Sequence, residues 1–139
     1  TMDMLDAKKA ELDDVTYRRA RHVITEDDRT LAAVEAFTKG DLKRLAELMY
    51  ASHCSMRDDF EITVPEIDGL VEIIREAIGE NAAVRMTGGG FGGSVVAVLK
   101  PEKVEAVKAA IDAKYEAISG RKATVIETHA FDGATFTAL

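Results

Sequence analysis

Five of the chain's ten glycines fall within six residues, in the run Met86-Thr87-Gly88-Gly89-Gly90-Phe91-Gly92-Gly93-Ser94. A glycine in an ordered element is less favourable than alanine by several tenths to about 1 kcal/mol, so residues 88–93 belong to a loop and not to a helix or strand interior. A tight hairpin needs only one or two glycines. A consecutive run does more: it lets backbone N–H groups converge on an anion, or lets another backbone approach closely. Two readings stay open, a long mobile hairpin loop and a loop at a phosphate or active site. The run is not the G-x-x-x-x-G-K-[ST] phosphate loop, and it does not join a strand to a helix as the G-x-G-x-x-G dinucleotide pattern does. It links two predicted strands, residues 83–87 and 94–99.

Helix and strand signals alternate around the loop. Thr63-Val64-Pro65-Glu66 has the form of a capping box, with Thr63 as N-cap and Pro65 in the first turn. It predicts a helix that buries Ile67, Leu70, Val71, Ile74 and Ile78 and ends at Gly79. Pro101 opens another helix, with Val104, Val107, Ile111, Tyr115 and Ile118 inward and Gly120 at its end. Residues 122–128, rich in β-branched side chains, read as a third strand. The order αββαβ over about residues 63–128 is most of a split β-α-β, ferredoxin-like motif. Its first strand is either the stretch 61–64 or lies upstream. The expected class is α+β, a small antiparallel sheet with helices on one face. The chain, 1–139, reads as one domain with a helical portion over about 5–60 and a loose tail over about 131–139.

In the helical portion, Leu42, Leu45, Leu48, Met49, Ser52 and Met56 form one stripe on a helix that Asp41 can cap and Gly40 separates from its predecessor. From about residue 15 to 39, Ala20, Val23, Ile24, Leu31, Val34 and Phe37 recur at similar steps. A straight helix would place Asp27 on that stripe, where an unpaired buried charge is costly. A rotated stripe or a kink that leaves Asp27 at the surface is therefore expected. Asp58 and Asp59 suit magnesium as hard oxygen ligands, but a local salt bridge with Arg57 is the preferred reading. Arg85 either lends positive charge to the loop or points to solvent. His22, His53 and His129 are too far apart for a metal spacing, and His53 and Cys54 diverge on a helix.

Eighteen Lys and Arg against 25 Asp and Glu give a formal net charge of −7. Bulk attraction to nucleic acid or an anionic membrane surface is thereby excluded, and any phosphate must be held by local geometry. No apolar run exceeds Val95 to Leu99, against the roughly 20 residues of a membrane span, and no secretory signal is visible. The single cysteine, Cys54, excludes an intrachain disulfide and fits a reducing, cytoplasmic setting.

The glycine run, preceded by Ser52-His53-Cys54-Ser55-Met56-Arg57-Asp58-Asp59-Phe60-Glu61-Ile62-Thr63-Val64-Pro65-Glu66-Ile67-Asp68, closely resembles the C-terminal part of galactokinases, members of the GHMP group of small-molecule kinases. The likeness takes in Arg19-Ala20-Arg21-His22-Val23-Ile24-Thr25-Glu26 and Gly40-Asp41-Leu42-Lys43-Arg44-Leu45, and covers residues 12 to about 128. The resemblance implies transfer of the γ-phosphoryl group of ATP to the 1-hydroxyl of D-galactose, with magnesium. It places Gly88, Gly89, Gly90, Phe91, Gly92 and Gly93 beside the nucleotide phosphates. Ser94 stands where the family often has a small residue or cysteine.

The family's sugar-binding motif, phosphate loop and catalytic Asp and Arg have no counterpart in these residues. The chain therefore reads as the C-terminal part of a longer enzyme, with no catalytic residue of its own and inactive alone. The alternatives are a nucleotide- or partner-binding module of a catalytically silent GHMP-like protein, and another GHMP small-molecule kinase. The surface turned toward the absent portion is expected to be exposed, and an apolar one would drive self-association.

Overall fold

The structure, a computed structural model, describes residues 1–79, 81–129 and 133–137. Its elements are α1 (Met2–Ala7), α2 (Asp14–Lys39), α3 (Leu42–Asp58), α4 (Pro65–Ile78), β1 (Ala83–Thr87), β2 (Ser94–Val98) and α5 (Val104–Ser119), with short 3-10 turns at Lys9–Glu11 and Pro101–Lys103. β1 and β2 pair antiparallel from Ala83↔Val98 to Thr87↔Ser94, so residues 88–93 are the whole of the hairpin loop. The class is α+β, helices around a small antiparallel sheet.

Local chemistry sets most helix ends. Gly40 adopts the left-handed conformation, φ 66, that ends α2, and the Asp41 carboxylate accepts the Arg44 N–H at 2.9 Å to begin α3. α4 differs from the expected capping box. Pro65 is its first residue, which makes Val64 the cap and leaves Thr63 one position too early. The Thr63 hydroxyl donates to Asp68 Oδ2 instead, at 3.2 Å.

The main core lies between α4, α5 and the sheet, where Val71, Ile74, Ile78, Val84, Val107 and Ile111 meet. Burying each such side chain contributes about 1.5–3 kcal/mol. Alternation along β1 sends the neighbouring Ala83 into a second cluster with Ala36, Leu45, Ala46 and Leu48 of α2 and α3. β1 is consequently the most enclosed element: Ala83, Val84 and Met86 are all 0% exposed. The glycine loop thus springs from a fixed base.

α2 runs unbroken through residues 26–29 and Asp27 is exposed, as the rotated-stripe reading requires. The stripe itself is not the buried side. α2 turns His22 and Ala36 inward, while Val23, Leu31, Val34 and Phe37 are 57–69% exposed, about a third of a turn away. Small alanines let α3 approach closely, and the larger apolar side chains are left on the outside.

Residues 122–128, expected as a third strand, form no strand, and neither do residues 61–64. β-branched composition supplies propensity, but a strand also needs the chain path to lay it against a sheet edge, and here β1 and β2 pair only with each other among the described residues. At Met86 the outer edge of β1 is already taken by side chains. Its N–H donates to His53 Nδ1 at 3.4 Å and its C=O accepts from Arg85 Nε at 3.0 Å. The segment is tied instead through Glu127, 2.9 Å from Lys108 Nζ, and Ile126 is 82% exposed. Of the expected tail, residues 133–137 carry no helix or strand, and residues 131, 132, 138 and 139 lie outside the described residues. Among the described residues no helix is long and apolar enough to cross a membrane.

Candidate functional site

Five of the six loop residues have positive φ: Gly88 99°, Gly90 86°, Phe91 57°, Gly92 125° and Gly93 99°. Glycine adopts such angles freely, whereas an L side chain is disfavoured there by about 1–2 kcal/mol. Phe91 tolerates its angle because the loop is seated. Its N–H donates to the Ile62 carbonyl at 2.7 Å. Gly90 lies so close to the same residue that a Cβ would fall 2.7 Å from Ile62 O and 2.8 Å from Ile62 Cβ. The glycine run thus permits both a strained path and a close backbone approach. The loop is not a free hairpin. Phe91 supplies the one loop amide with a backbone acceptor outside the hairpin among the described residues. The other loop amides have no such acceptor, and successive free amides are what a backbone nest uses to hold an anion.

The seat is the chain just past α3. Ser55 Oγ donates to Asp59 Oδ2 at 2.9 Å, and because a hydroxyl has one proton, His22 Nδ1, 3.0 Å away, must donate to that oxygen. Arg21 Nε lies 3.3 Å from the same Asp59 oxygen, and His22 stacks on Phe60 at 4.5 Å between centroids. Burial pushes the His22 imidazole below its ordinary value, which keeps it neutral in this role. Arg18 and Arg19 donate to the carbonyls of Asp58 and Asp59, and both pair with Glu61. Those ion pairs hold the Glu61 carboxyl below the usual range, the bond from Arg19 contributing most and that from Arg18 next.

The aspartates weighed for magnesium are engaged otherwise. Asp58 accepts from Arg57 at 2.7 and 3.0 Å, the preferred salt bridge, and that bond holds its carboxyl low. Asp59 is buried on Ser55 and Arg21. Among the described residues no cluster of three or more His, Cys, Asp or Glu could hold a metal. Arg85 is only partly exposed, and its side-chain bonds run away from the loop tip. It turns back to Ser52 Oγ at 2.8 Å and lies 3.5 Å from Glu26, which accepts from Ser52 at 2.6 Å. His53 is fully buried beneath β1, with Nε2 3.3 Å from Asp68 Oδ1, while Cys54 beside it is half-buried and points elsewhere.

Two of the sequence's motifs therefore meet in space. The glycine loop and the Ser55–Asp59 segment, some 30 residues apart, join through Ile62 and Phe91. Of the supporting residues, Arg18, Arg19 and Glu61 were given no role from sequence, and His53 was weighed only as a metal ligand. The basic Arg18, Arg19 and Arg21 opposite the acidic Asp58, Asp59 and Glu61 was the available signal. The loop lies open on the surface, and a cavity lined by Met2, Val23, Ile24 and Asp27 sits between α1 and α2, away from it.

Comparison with known proteins bears on the family and the fold. The family model for the GHMP kinases C terminal matches residues 33–117. The structure superposes on that of Lactococcus lactis galactokinase complexed with galactose, with a TM-score of 0.80 and 36% sequence identity over 88% of this chain. The match spans 31% of the length of that protein.

Proposed function

Because the chain belongs to the GHMP kinases through their C-terminal domain, we propose that it is the C-terminal part of a galactokinase and forms the glycine-loop side of its ATP site. The complete enzyme would transfer the γ-phosphoryl group of ATP to the 1-hydroxyl of D-galactose. Gly88, Gly89, Gly90, Phe91, Gly92 and Gly93 would lie against the nucleotide phosphates. The observation that carries this reading is a seated loop with unengaged amides, in a fold shared with a galactose-binding galactokinase at 36% identity.

Phosphoryl transfer depends on positioning and on stabilising charge spread over phosphate oxygens. A glycine loop suits that task because no side chain stands between its amides and the anion. Local amides also act at contact distance, where a net charge of −7 spread over the surface matters little. Magnesium is assigned to no side chain of this chain, since Asp58 and Asp59 already have partners. With no catalytic residue assigned here, the chain alone is inactive, and it works in the cytoplasm.

The exposed stripe Val23, Leu31, Val34 and Phe37 supports a second element of the proposal. Apolar patches of this kind mark protein contact surfaces. The stripe would face the rest of the kinase, or in a catalytically silent relative a partner chain, and the separated domain would self-associate through it.

Two measurements test the reading. Titration of the chain with ATP and magnesium, followed by NMR, is expected to shift the amides of residues 88–93. Grafting this chain in place of the matching segment of the Lactococcus lactis enzyme is expected to give galactose phosphorylation that the chain alone lacks. Loop amides indifferent to ATP, together with a folded but inactive graft, would refute it.

A further inference from the structure

Glu61 is one of two non-glycine residues with positive φ among the described residues, at 56°, and the other is Phe91. The two strained residues sit on either side of one contact. A left-handed residue turns the chain sharply, and after Glu61 the Ile62 N–H returns to the Met56 carbonyl at 3.0 Å while its own carbonyl faces the Phe91 N–H at 2.7 Å. What holds Glu61 in this state is a double clamp. Arg18 lies 2.8 Å from one carboxylate oxygen and Arg19 2.6 Å from the other. The same two guanidinium groups also bond the Asp58 and Asp59 carbonyls, groups that the end of α3 leaves without helical partners.

We infer that Glu61, gripped by Arg18 and Arg19, is the positioning residue of the glycine loop. Its side chain fixes the turn that aims the Ile62 carbonyl, and that carbonyl holds Phe91 and Gly90 in the conformation that presents the remaining amides. The inference deepens the proposed nucleotide site and rests on it for its purpose. A loop with five glycines samples many conformations when free, and ordering it at the moment of binding lowers affinity. The clamp orders it beforehand. Arg18 and Arg19 reach across from α2, about 40 residues away in sequence, so the loop's geometry depends on how α2 packs on the end of α3.

The test uses NMR hydrogen exchange of the Phe91 amide in the intact chain, with Val71 and Ile111 as core references, followed by titration with ATP and magnesium. Glu61→Ala and Arg19→Leu are expected to speed Phe91 exchange about tenfold or more with the core references unchanged, and to weaken ATP binding by a similar factor. Glu61→Gly separates the clamp from the backbone, because glycine takes the left-handed angle without strain. Faster Phe91 exchange in Glu61→Gly supports the clamp. Phe91 exchange unchanged in Glu61→Ala, or restored in Glu61→Gly, overturns it. If Glu61→Ala loses core protection as well, Arg19→Leu decides by the same readout: faster Phe91 exchange over an intact core supports the clamp, and unchanged exchange overturns it. ATP that moves no loop amide in the unsubstituted chain defeats the nucleotide reading, and Phe91 exchange still decides the positioning role.

Discussion

His53 Nδ1 accepts the backbone N–H of Met86, joining the C-terminal half of α3 to the strand that leads into the glycine loop. With Nδ1 an acceptor, the neutral ring carries its proton on Nε2, which faces Asp68 Oδ1 at 3.3 Å without hydrogen-bond alignment. Protonating Nδ1 would remove the acceptor from Met86 and place a charge in a fully buried site.

Stability should accordingly fall as the solution is acidified. Burial lowers the pKa of both His53 and His22 in the folded state. As pH drops below the unfolded value of about 6.5, the unfolded chain takes up these protons first. The stability they allow is therefore complete above that value and declines as pH falls toward their lowered folded values. The stability that Glu61, also held low, contributes is complete above the ordinary carboxylate range and is lost only below it, outside this window. The urea midpoint is expected to drop between pH 7.5 and 5.5, and His53→Gln to be less stable but less pH-dependent. A flat profile for the unsubstituted chain would contradict this account.

Adjacent glycines should respond differently to alanine. Gly89 has ordinary φ and open space where a Cβ would go, so Gly89→Ala is expected to be neutral or stabilising by up to about 1 kcal/mol. Gly90 combines φ 86 with the close approach to Ile62. Gly90→Ala is expected to cost about 1–2 kcal/mol for the backbone alone, and to shift the Ile62 and Phe91 resonances. Equal effects at the two positions would mean that the loop is not seated on Ile62.

The core and residues 122–128 offer a contrast in stability. Ile74 is 4% exposed between α4 and α5, and truncation to alanine is expected to cost about 2–5 kcal/mol in urea unfolding. Ile126→Ala, at a site 82% exposed, should stay within about 0.5 kcal/mol. A large loss at Ile126 would show that residues 122–128 pair after all.

The α2 stripe should govern association. Leu31 and Phe37 are 69% and 57% exposed, so replacing both by glutamate removes apolar surface without opening the core. Sedimentation is expected to show concentration-dependent association of the unsubstituted chain and none of the double variant, with urea stability little changed. A monomer at high concentration in both cases would remove the stripe's assigned role.

The elements were largely legible because their signals are local. Gly40 and Asp41 mark the α2–α3 boundary by backbone preference and capping, and the periodicity of Ile67, Val71, Ile74 and Ile78 marks the face of α4 that is buried. The glycine run was legible as a loop for the same reason: its backbone preference belongs to each residue alone. Sequence by itself also determined the family, since the glycine loop and the Ser-x-Arg-Asp-Asp segment occur together. Only the tertiary structure decided which apolar stripe is covered, because α2 buries the face whose small residues admit α3, not its most hydrophobic one. It decided too that residues 122–128 remain unpaired, since β propensity counts only where the chain path lays a segment against a strand edge. The seat of the loop at Ile62, with Glu61 and two arginines from α2 beneath it, depends on the approach of segments far apart in the chain, and no local preference encodes that distance.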